Sequence, residues 1–263
     1  MGTNPRGAVE AGAVDSHCHL FPLDGEPAAA VESARRAGVQ RMVCVGIDPE
    51  TSHRSVELAE SFRGVFATAG MHPHTADRLD HQAGGDIEEL LANPLVVGVG
   101  ECGLDYFRMH SPVEDQQRAF RLHVRWSREV DKPLVVHVRE AWDDAVRILD
   151  EERAERVVLH CFSGDAETAV ACAERGWFMS FAGNVTYPKN EHLRRAASVA
   201  PPHLLLVETD SPFLAPQPLR GRDNEPANAV AVAEELARVR GVDAAEMLQQ
   251  TTANALVAFP GMR

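Results

Sequence analysis

The sequence lacks the long apolar runs of membrane proteins, and its first twelve residues, MGTNPRGAVEAG, contain no apolar stretch of the kind found in signal peptides. Its five cysteines are scattered, odd in number and without zinc-ribbon spacing. Several of them lie in apolar runs, where a reduced, buried thiol is the usual state. These features argue against a membrane protein and a disulfide framework. We therefore expect a protein of the reducing cytoplasm, with residues 1–12 as a loose tail.

Positive charge is also scarce. The chain has 26 lysines and arginines against 39 acidic residues, which gives a formal net charge of −13. Such a chain has no general attraction for nucleic acids or anionic membranes. A polyanionic substrate would need local cations or bound metal. Nothing in the sequence indicates an oligomer, so a monomer is the default expectation.

Short apolar runs alternate with amphipathic stretches along the whole chain. The runs predict strands at Ala13–His17, Arg41–Gly46, Val65–Met71, Leu95–Gly100, Leu134–His137, Arg156–His160, Trp177–Phe181 and Leu204–Glu208. The clearest helical patterns cover Pro27–Ala37, Pro49–Phe62, Val113–Val130, Ala141–Glu152, Ala166–Arg175, Ala227–Arg240 and Ala244–Phe259. The strands show little polar alternation, which is typical of parallel strands buried on both faces. We predict a single-domain α/β protein, a (β/α)8 TIM barrel over residues 13–263, with an open doubly wound sheet as the alternative.

Side chains that can bind metal recur where the predicted strands end. Six of them follow five different strands: His17, His19, Glu101, His137, His160 and Asp210. In a TIM barrel the C-terminal ends of all strands meet at one face, where active sites are built. The residues of the His-Cys-His segment alternate along an extended strand, so both imidazoles can reach one ion. The sequence thus predicts a metal site at the C-terminal ends of the strands.

Each of these residues also has a purely structural interpretation. A single histidine at a strand end is often only a satisfied polar residue, Glu101 could pair with a helix N-terminus, and Asp210 could cap a turn before Pro212. Their coincidence at one end of the strands favours the metal site. Six protein ligands are too many for one catalytic ion that keeps an open position, so we expect two divalent ions bridged by Glu101. Mg²⁺, Mn²⁺ and Zn²⁺ all accept mixed imidazole and carboxylate ligands.

Seven segments, in order and spread over almost the whole chain, resemble the TatD-type deoxyribonucleases, a family within the amidohydrolase-like metal-dependent hydrolases. They are DSHCHL (15–20), GMHPH (70–74), GECGLDYFR (100–108), PLVVHVREA (133–141), HCFSG (160–164), ETDSPFLAP (208–216) and RGRDNEP (220–226). The resemblance implies that His17, His19, Glu101 and Asp210 hold one metal, and that Glu101, His137 and His160 hold the other. It also implies hydrolysis of DNA phosphodiester bonds, often as a 3′–5′ exonuclease, with Mg²⁺ as the usual ion.

The chemistry expected is attack of a metal-activated water on phosphorus. We predict Asp210 as general base, unless it is a ligand only, and Glu101 as the bridging acid. His72 could contact a phosphate or a substrate-dependent metal, or could be a loop histidine packed beside Pro73. Further candidates for phosphate or substrate binding are Arg108, Arg139, Arg222, His74 and Tyr106. Arginine suits phosphate oxygens, and aromatic rings such as those of Tyr106, Phe107 and Tyr187 can stack on bases, although surface arginines are often only solvated and Phe107 could belong to the core.

Other functions remain open at this point. The same centre could hydrolyse another ester or an amide, for example in an aminoacyl-tRNA deacylase or a small phosphoesterase. Many relatives in the wider superfamily bridge their metals with a modified lysine, but the fifth-strand end here reads His137-Val138-Arg139. A non-catalytic metal-binding scaffold is a further alternative, disfavoured because all six predicted ligands are present. The substrate expected is DNA, single-stranded or at 3′ ends.

Overall fold

The computed structural model describes residues 12–21 and 27–263. The predicted tail at residues 1–12 therefore lies, apart from Gly12, outside the described residues. Within them, the β-strands are β1 (Ala13–Cys18), β2 (Val39–Val45), β3 (Val65–Ala69), β4 (Val96–Asp105), β5 (Leu134–Arg139), β6 (Val157–Leu159), β7 (Phe178–Phe181) and β8 (Leu205–Val207). The α-helices in the same ranges are α1 (Pro27–Arg36), α2 (Pro49–Ser61), α3 (His81–Leu91), α4 (Val113–Glu129), α5 (Trp142–Glu151), α6 (Ala166–Glu174), α7 (Glu191–Val199), α8 (Ala229–Arg240) and α9 (Ala244–Ala258).

The eight strands form one parallel sheet in sequential order from β1 to β8. Backbone hydrogen bonds near the C-terminal ends of β1 and β8 join its two edges. The Asp210 N–H donates to the His17 carbonyl at 2.9 Å, and the His19 N–H donates to the Ser211 carbonyl at 2.8 Å. The predicted TIM barrel is confirmed, and the doubly wound alternative is wrong because sequential strand order leaves no switch point. The bonds that join the edges also bring three predicted metal ligands together.

The strands separate two apolar cores. On β5, Leu134 and Val136 belong to the core between the strands and the surrounding helices. Val135 belongs to the core inside the barrel, where Phe259 and Met262 after α9 pack near the strand starts. Since side chains alternate along a strand, the residue two beyond Val135 faces the same lumen at its other end. That residue is His137, so the alternation that fills the barrel also directs the polar side chains into its open end.

Two helices and one strand differ from the sequence predictions. Helix α3 was not predicted; Gly84 and Gly85 lower its intrinsic helix propensity. An Asp80 cap, which accepts from the Ala83 N–H at 2.9 Å, and buried apolar residues stabilise it nevertheless. Helix α7 was also not predicted. Strand β4 continues five residues past Gly100, because its far half pairs with β5.

Gly103 permits this close pairing of β4 and β5. Its φ of +130° is one that residues with a side chain rarely adopt. A Cβ atom there would collide with the His137 carbonyl. No α-helix in the described ranges has the length and apolarity needed to cross a membrane.

Candidate metal centre

Glu101 lies at the centre of the cluster formed by the six predicted ligands. Its Oε2 is 3.5 Å from His17 Nε2. Its Oε1 is 3.2 Å from His137 Nδ1 and 3.6 Å from His160 Nε2. The two oxygens of one buried carboxylate thus face different histidines, which is the arrangement that a bridging ligand requires.

Asp210 faces the other side of the cluster. Its Oδ1 is 3.7 Å from His19 Nε2, 3.9 Å from His17 Nε2 and 4.0 Å from His160 Nε2. Ligand atoms of His17, His19 and Asp210 lie within 4.8 Å of one another, as do those of His17, Glu101 and His160. Asp210 has a φ of 53°, an uncommon backbone conformation for a residue other than glycine, and its N–H bond to the His17 carbonyl fixes it there.

Three of the histidines have one ring nitrogen close to a protein acceptor and the other toward the carboxylates, although the contact of His160 Nδ1 lacks hydrogen-bond geometry. His19 Nδ1 is 3.1 Å from the Val45 carbonyl, and His160 Nδ1 is 2.8 Å from Glu208 Oε1. His137 Nε2 is 3.3 Å from Asp105 Oδ2. Such contacts fix the tautomer and orientation of metal-binding imidazoles. They leave a nitrogen of each ring free to bind an ion.

His17 has no such partner. Both of its ring nitrogens are buried without a hydrogen bond, although its ring stacks on that of His160 at 3.5 Å between centroids. Burial lowers the pKa of His17, and the nearby His160 adds to this effect. A buried polar group without a partner is costly in free energy, and a cation near Glu101 would satisfy it. The donor set of imidazoles and carboxylates therefore fits divalent metal.

The charges in the cluster are balanced by pairing. Burial by itself would raise the pKa of Glu101 and Asp210, but the surrounding histidines outweigh it and hold both below their usual values. Burial opposes protonation of His160, yet Glu208 and Glu101 raise its pKa to about 10. Glu101 and Asp210 are therefore ionised and can bind a cation. A bound cation would displace a proton from His160.

His72 approaches the cluster as a hydrogen-bond donor. Its Nδ1 accepts from the His74 N–H at 3.1 Å, and its Nε2 is 3.4 Å from Glu101 Oε1. Burial lowers its pKa to about 4, although Glu101 partly opposes this, so the ring is neutral at pH 7. A neutral ring that accepts at Nδ1 carries its proton at Nε2. This geometry suits a donor, but ligand atoms of His72, Glu101 and His137 also lie within 4.8 Å of one another, so the metal alternative stays open.

A buried histidine on α4 holds the segment that carries His72. His123 Nε2 accepts from the Met71 N–H at 2.9 Å, and its Nδ1 is 2.7 Å from the Ala119 carbonyl. Burial lowers the pKa of His123 to about 4, so the folded protein keeps this ring neutral. The neutral ring provides the one donor and one acceptor that the two contacts need.

Stability should therefore depend on pH through His123. In the unfolded chain the ring protonates below its ordinary value of 6.5, so its stabilising contribution is complete above pH 6.5 and is lost as the pH falls toward 4. Between pH 7.5 and pH 5, the wild-type protein should lose about 2 kcal/mol more unfolding free energy than His123→Gln. Urea denaturation of both proteins in EDTA measures this difference. Equal losses would show that His123 does not couple folding to protons.

A pocket of about 470 Å³ opens over the cluster. Besides His19, Glu101, His137, His160 and Asp210, its lining includes His72, His74, Arg108, Arg139 and Phe213. Among the predicted substrate residues, three therefore lie at the pocket: Arg108, Arg139 and His74. His74 Nε2 is 2.9 Å from Asp105 Oδ2.

The structure does not bring the other two substrate candidates into this pocket. The Tyr106 hydroxyl donates to Asp144 Oδ2 at 2.8 Å and accepts from Gln117 Nε2 at 2.9 Å, so it points between α4 and α5. Arg222 is exposed on the chain after β8 and is not among the lining residues. The position of a residue in a motif did not reveal which way its side chain turns.

Two acids that the sequence reasoning did not select support the cluster. Glu208 is fully buried beside His160, and it also accepts from the Cys161 N–H at 2.9 Å. Asp105 contacts His137 and His74 through one oxygen and accepts from the Arg108 N–H at 2.7 Å through the other. Both lie in segments that carry the family resemblance. Glu208 directly follows β8, so the rule that selected Asp210 could also have found it, whereas Asp105 lies on the unpredicted extension of β4.

A TIM barrel with imidazoles and carboxylates gathered at the C-terminal ends of its strands is the architecture of metal-dependent hydrolases. The sequence profile of the family described as TatD related DNase matches residues 14–260. The chain belongs to this family, which confirms the resemblance found in its motifs.

Individual relatives agree with this assignment. The chain is 38% identical over 249 residues to the uncharacterized metal-dependent hydrolase YabD of Bacillus subtilis, covering 93% of this chain and 98% of YabD. It is 35% identical over 236 residues to the 3′-5′ ssDNA/RNA exonuclease TatD of Shigella flexneri, covering 87% and 91%. The crystal structure of YJJV, a TatD homolog from Escherichia coli, superposes with a TM-score of 0.89 at 28% identity, covering 94% and 98%.

Proposed function

We propose that this hydrolase cleaves DNA phosphodiester bonds as a 3′–5′ exodeoxyribonuclease that prefers single-stranded DNA or 3′ ends. The observation that carries the proposal is the position of Glu101, whose two oxygens face different histidines within one buried cluster. The relative from Shigella flexneri named as a 3′-5′ ssDNA/RNA exonuclease supports the choice of substrate.

By the family resemblance, the ligand set would divide into two halves that share Glu101. His17, His19 and Asp210 form one half with Glu101, and His137 and His160 form the other. Two divalent ions fit this division, with Mg²⁺ as the ion in use and Mn²⁺ or Zn²⁺ as substitutes. When bound, such ions acidify a water molecule and neutralise charge on phosphate oxygens.

The chain's own groups would complete the chemistry. Asp210, ionised and partly exposed at the pocket, accepts the proton of the attacking water. His72 Nε2–H donates to a phosphate oxygen, and the Arg108 and Arg139 guanidinium groups bind further phosphate oxygens. The net charge of −13 disfavours binding of a polyanion such as DNA. The two guanidinium groups offset it locally, because they place positive charge where the phosphates would lie.

We propose the cytoplasm as the location and a monomer as the working form. All five cysteines are free, which agrees with a reducing compartment. Gel filtration with light scattering would test the monomer.

Digestion of competing substrates tests the function. Metal-stripped protein, reloaded with Mg²⁺, Mn²⁺ or Zn²⁺, is incubated with 5′-labelled single-stranded DNA, an aminoacyl ester and a small phosphodiester. We expect a ladder of products shortened from the 3′ end. Ester cleavage without DNA cleavage would instead indicate a deacylase or small phosphoesterase, and no turnover at all would indicate a metal-binding scaffold.

A further inference from the structure

Phe213 presents an exposed aromatic ring at the rim of the pocket. The residue is 58% exposed and lies three positions after Asp210. Its backbone is fixed from both sides, because its N–H donates to the Asp210 carbonyl at 2.8 Å and its carbonyl accepts from Asn224 Nδ2 at 2.8 Å. Its ring meets that of His19 edge-on at 6.3 Å between centroids. A large apolar side chain thus projects into solvent from a fixed backbone beside the metal ligands.

Phe107, the other exposed phenylalanine near the pocket, is in a different situation. It is 52% exposed, but the Arg139 guanidinium carbon lies 3.9 Å from its ring centroid. This cation–π contact covers one face of the ring and fixes a guanidinium that lines the pocket. Phe107 therefore has a role in positioning Arg139, whereas the ring of Phe213 has no comparable partner among the described side chains.

We infer that Phe213 is a stacking platform for an unpaired nucleobase of the substrate. The inference rests on the proposed function and deepens it. Guanidinium groups and the metal cluster would hold the phosphate, and the base attached to the neighbouring sugar needs an aromatic surface within one nucleotide of that point. A base inside a duplex is stacked and paired and cannot use such a surface without being extruded. The ring thus selects single-stranded nucleic acid over the duplex.

The test combines a protein variant with a substrate that lacks one base. Wild-type protein and Phe213→Ala are compared on single-stranded oligonucleotides that are intact or abasic at one of the two nucleotides flanking the 3′-terminal phosphodiester. Base–aromatic stacking predicts that Phe213→Ala lowers kcat/KM on the intact strand roughly 5- to 150-fold. On the abasic strand that lacks the stacking base, the kcat/KM values of the wild-type protein and the variant should agree within about twofold, since no base is left to stack. Phe213→Trp should restore activity on the intact strand.

Two further variants serve as controls. Phe107→Ala should reduce cleavage of intact and abasic strands alike, since it disturbs the Arg139 side chain and not a base contact. Val257→Ala removes a side chain that is 55% exposed on α9 and should leave both rates unchanged.

The inference is overturned if Phe213→Ala lowers kcat/KM by the same factor on intact and abasic strands, or does not lower it on either. These outcomes differ from failure of the proposed function, in which the wild-type protein itself would cleave neither strand.

Discussion

Replacement of Glu101 by glutamine is expected to lower the rate of DNA cleavage by at least about 10³-fold at neutral pH. Glu101 is the carboxylate with one oxygen toward His17 and the other toward His137 and His160. Its loss would weaken both halves of the centre at once, whereas loss of any single histidine would weaken one. Steady-state cleavage of labelled single-stranded DNA and calorimetric titration with Mn²⁺ measure the two effects in parallel.

The variant is expected to keep its fold, since the two apolar cores lie below and around the cluster rather than in it. Circular dichroism in EDTA would verify this. Glu167→Gln, at an exposed position on α6, is the matched control and should match the wild-type protein in rate and metal affinity. Undiminished cleavage by Glu101→Gln would refute the bridging role.

The second large effect is expected from Glu208→Gln, which should weaken metal binding about 10- to 100-fold. Glu208 Oε1 is 2.8 Å from His160 Nδ1, and its charge favours the ring orientation that leaves Nε2 facing Glu101. The same Oε1 accepts from the Cys161 N–H, so a glutamine oxygen there would keep both contacts but lose the negative charge that orients the imidazole and raises its basicity as a ligand.

Calorimetric titration of metal-free protein with Zn²⁺ or Mn²⁺ gives the affinity directly, without dependence on turnover. Asp105→Asn provides an independent comparison, because Asp105 has the same relation to His137. If Glu208→Gln bound metal as tightly as the wild-type protein while its fold was intact, the orientation of His160 would not depend on Glu208.

The barrel could be predicted because each strand is an apolar run in the sequence, and because histidines and acids recur where those runs end. The strand–helix alternation then predicted that all six ligands lie at the C-terminal face of the barrel. Where local signals conflicted with packing, the sequence analysis missed an element, as at α3, whose glycines obscured a helix that tertiary contacts stabilise.

The end of β4 shows a different limit. Apolar character stops at Gly100, so the strand was predicted to end there, but the backbone continues to Asp105 in register with β5. This extension is what places Asp105 beside His137. Pairing between strands is a property of two segments, and it cannot be read from one of them.

Side-chain direction was the least accessible feature. Tyr106 lies in a segment matching the family, yet its hydroxyl bonds Asp144 and Gln117 on the helical side. Phe213 lies in another such segment and was not selected, although it borders the pocket. One residue near a strand end can turn inward or outward depending on contacts from distant helices and loops, which motif spacing does not contain.

The central claim is that the cluster around Glu101 holds two ions that together support hydrolysis of DNA. Titration of metal-stripped protein with Mn²⁺, with bound ions and cleavage of 5′-labelled single-stranded DNA measured on the same samples, tests it most directly. We predict two ions per chain, and cleavage from the 3′ end that appears as the second ion binds. Saturation at one ion, or two bound ions without DNA cleavage at any concentration of metal, would contradict the account.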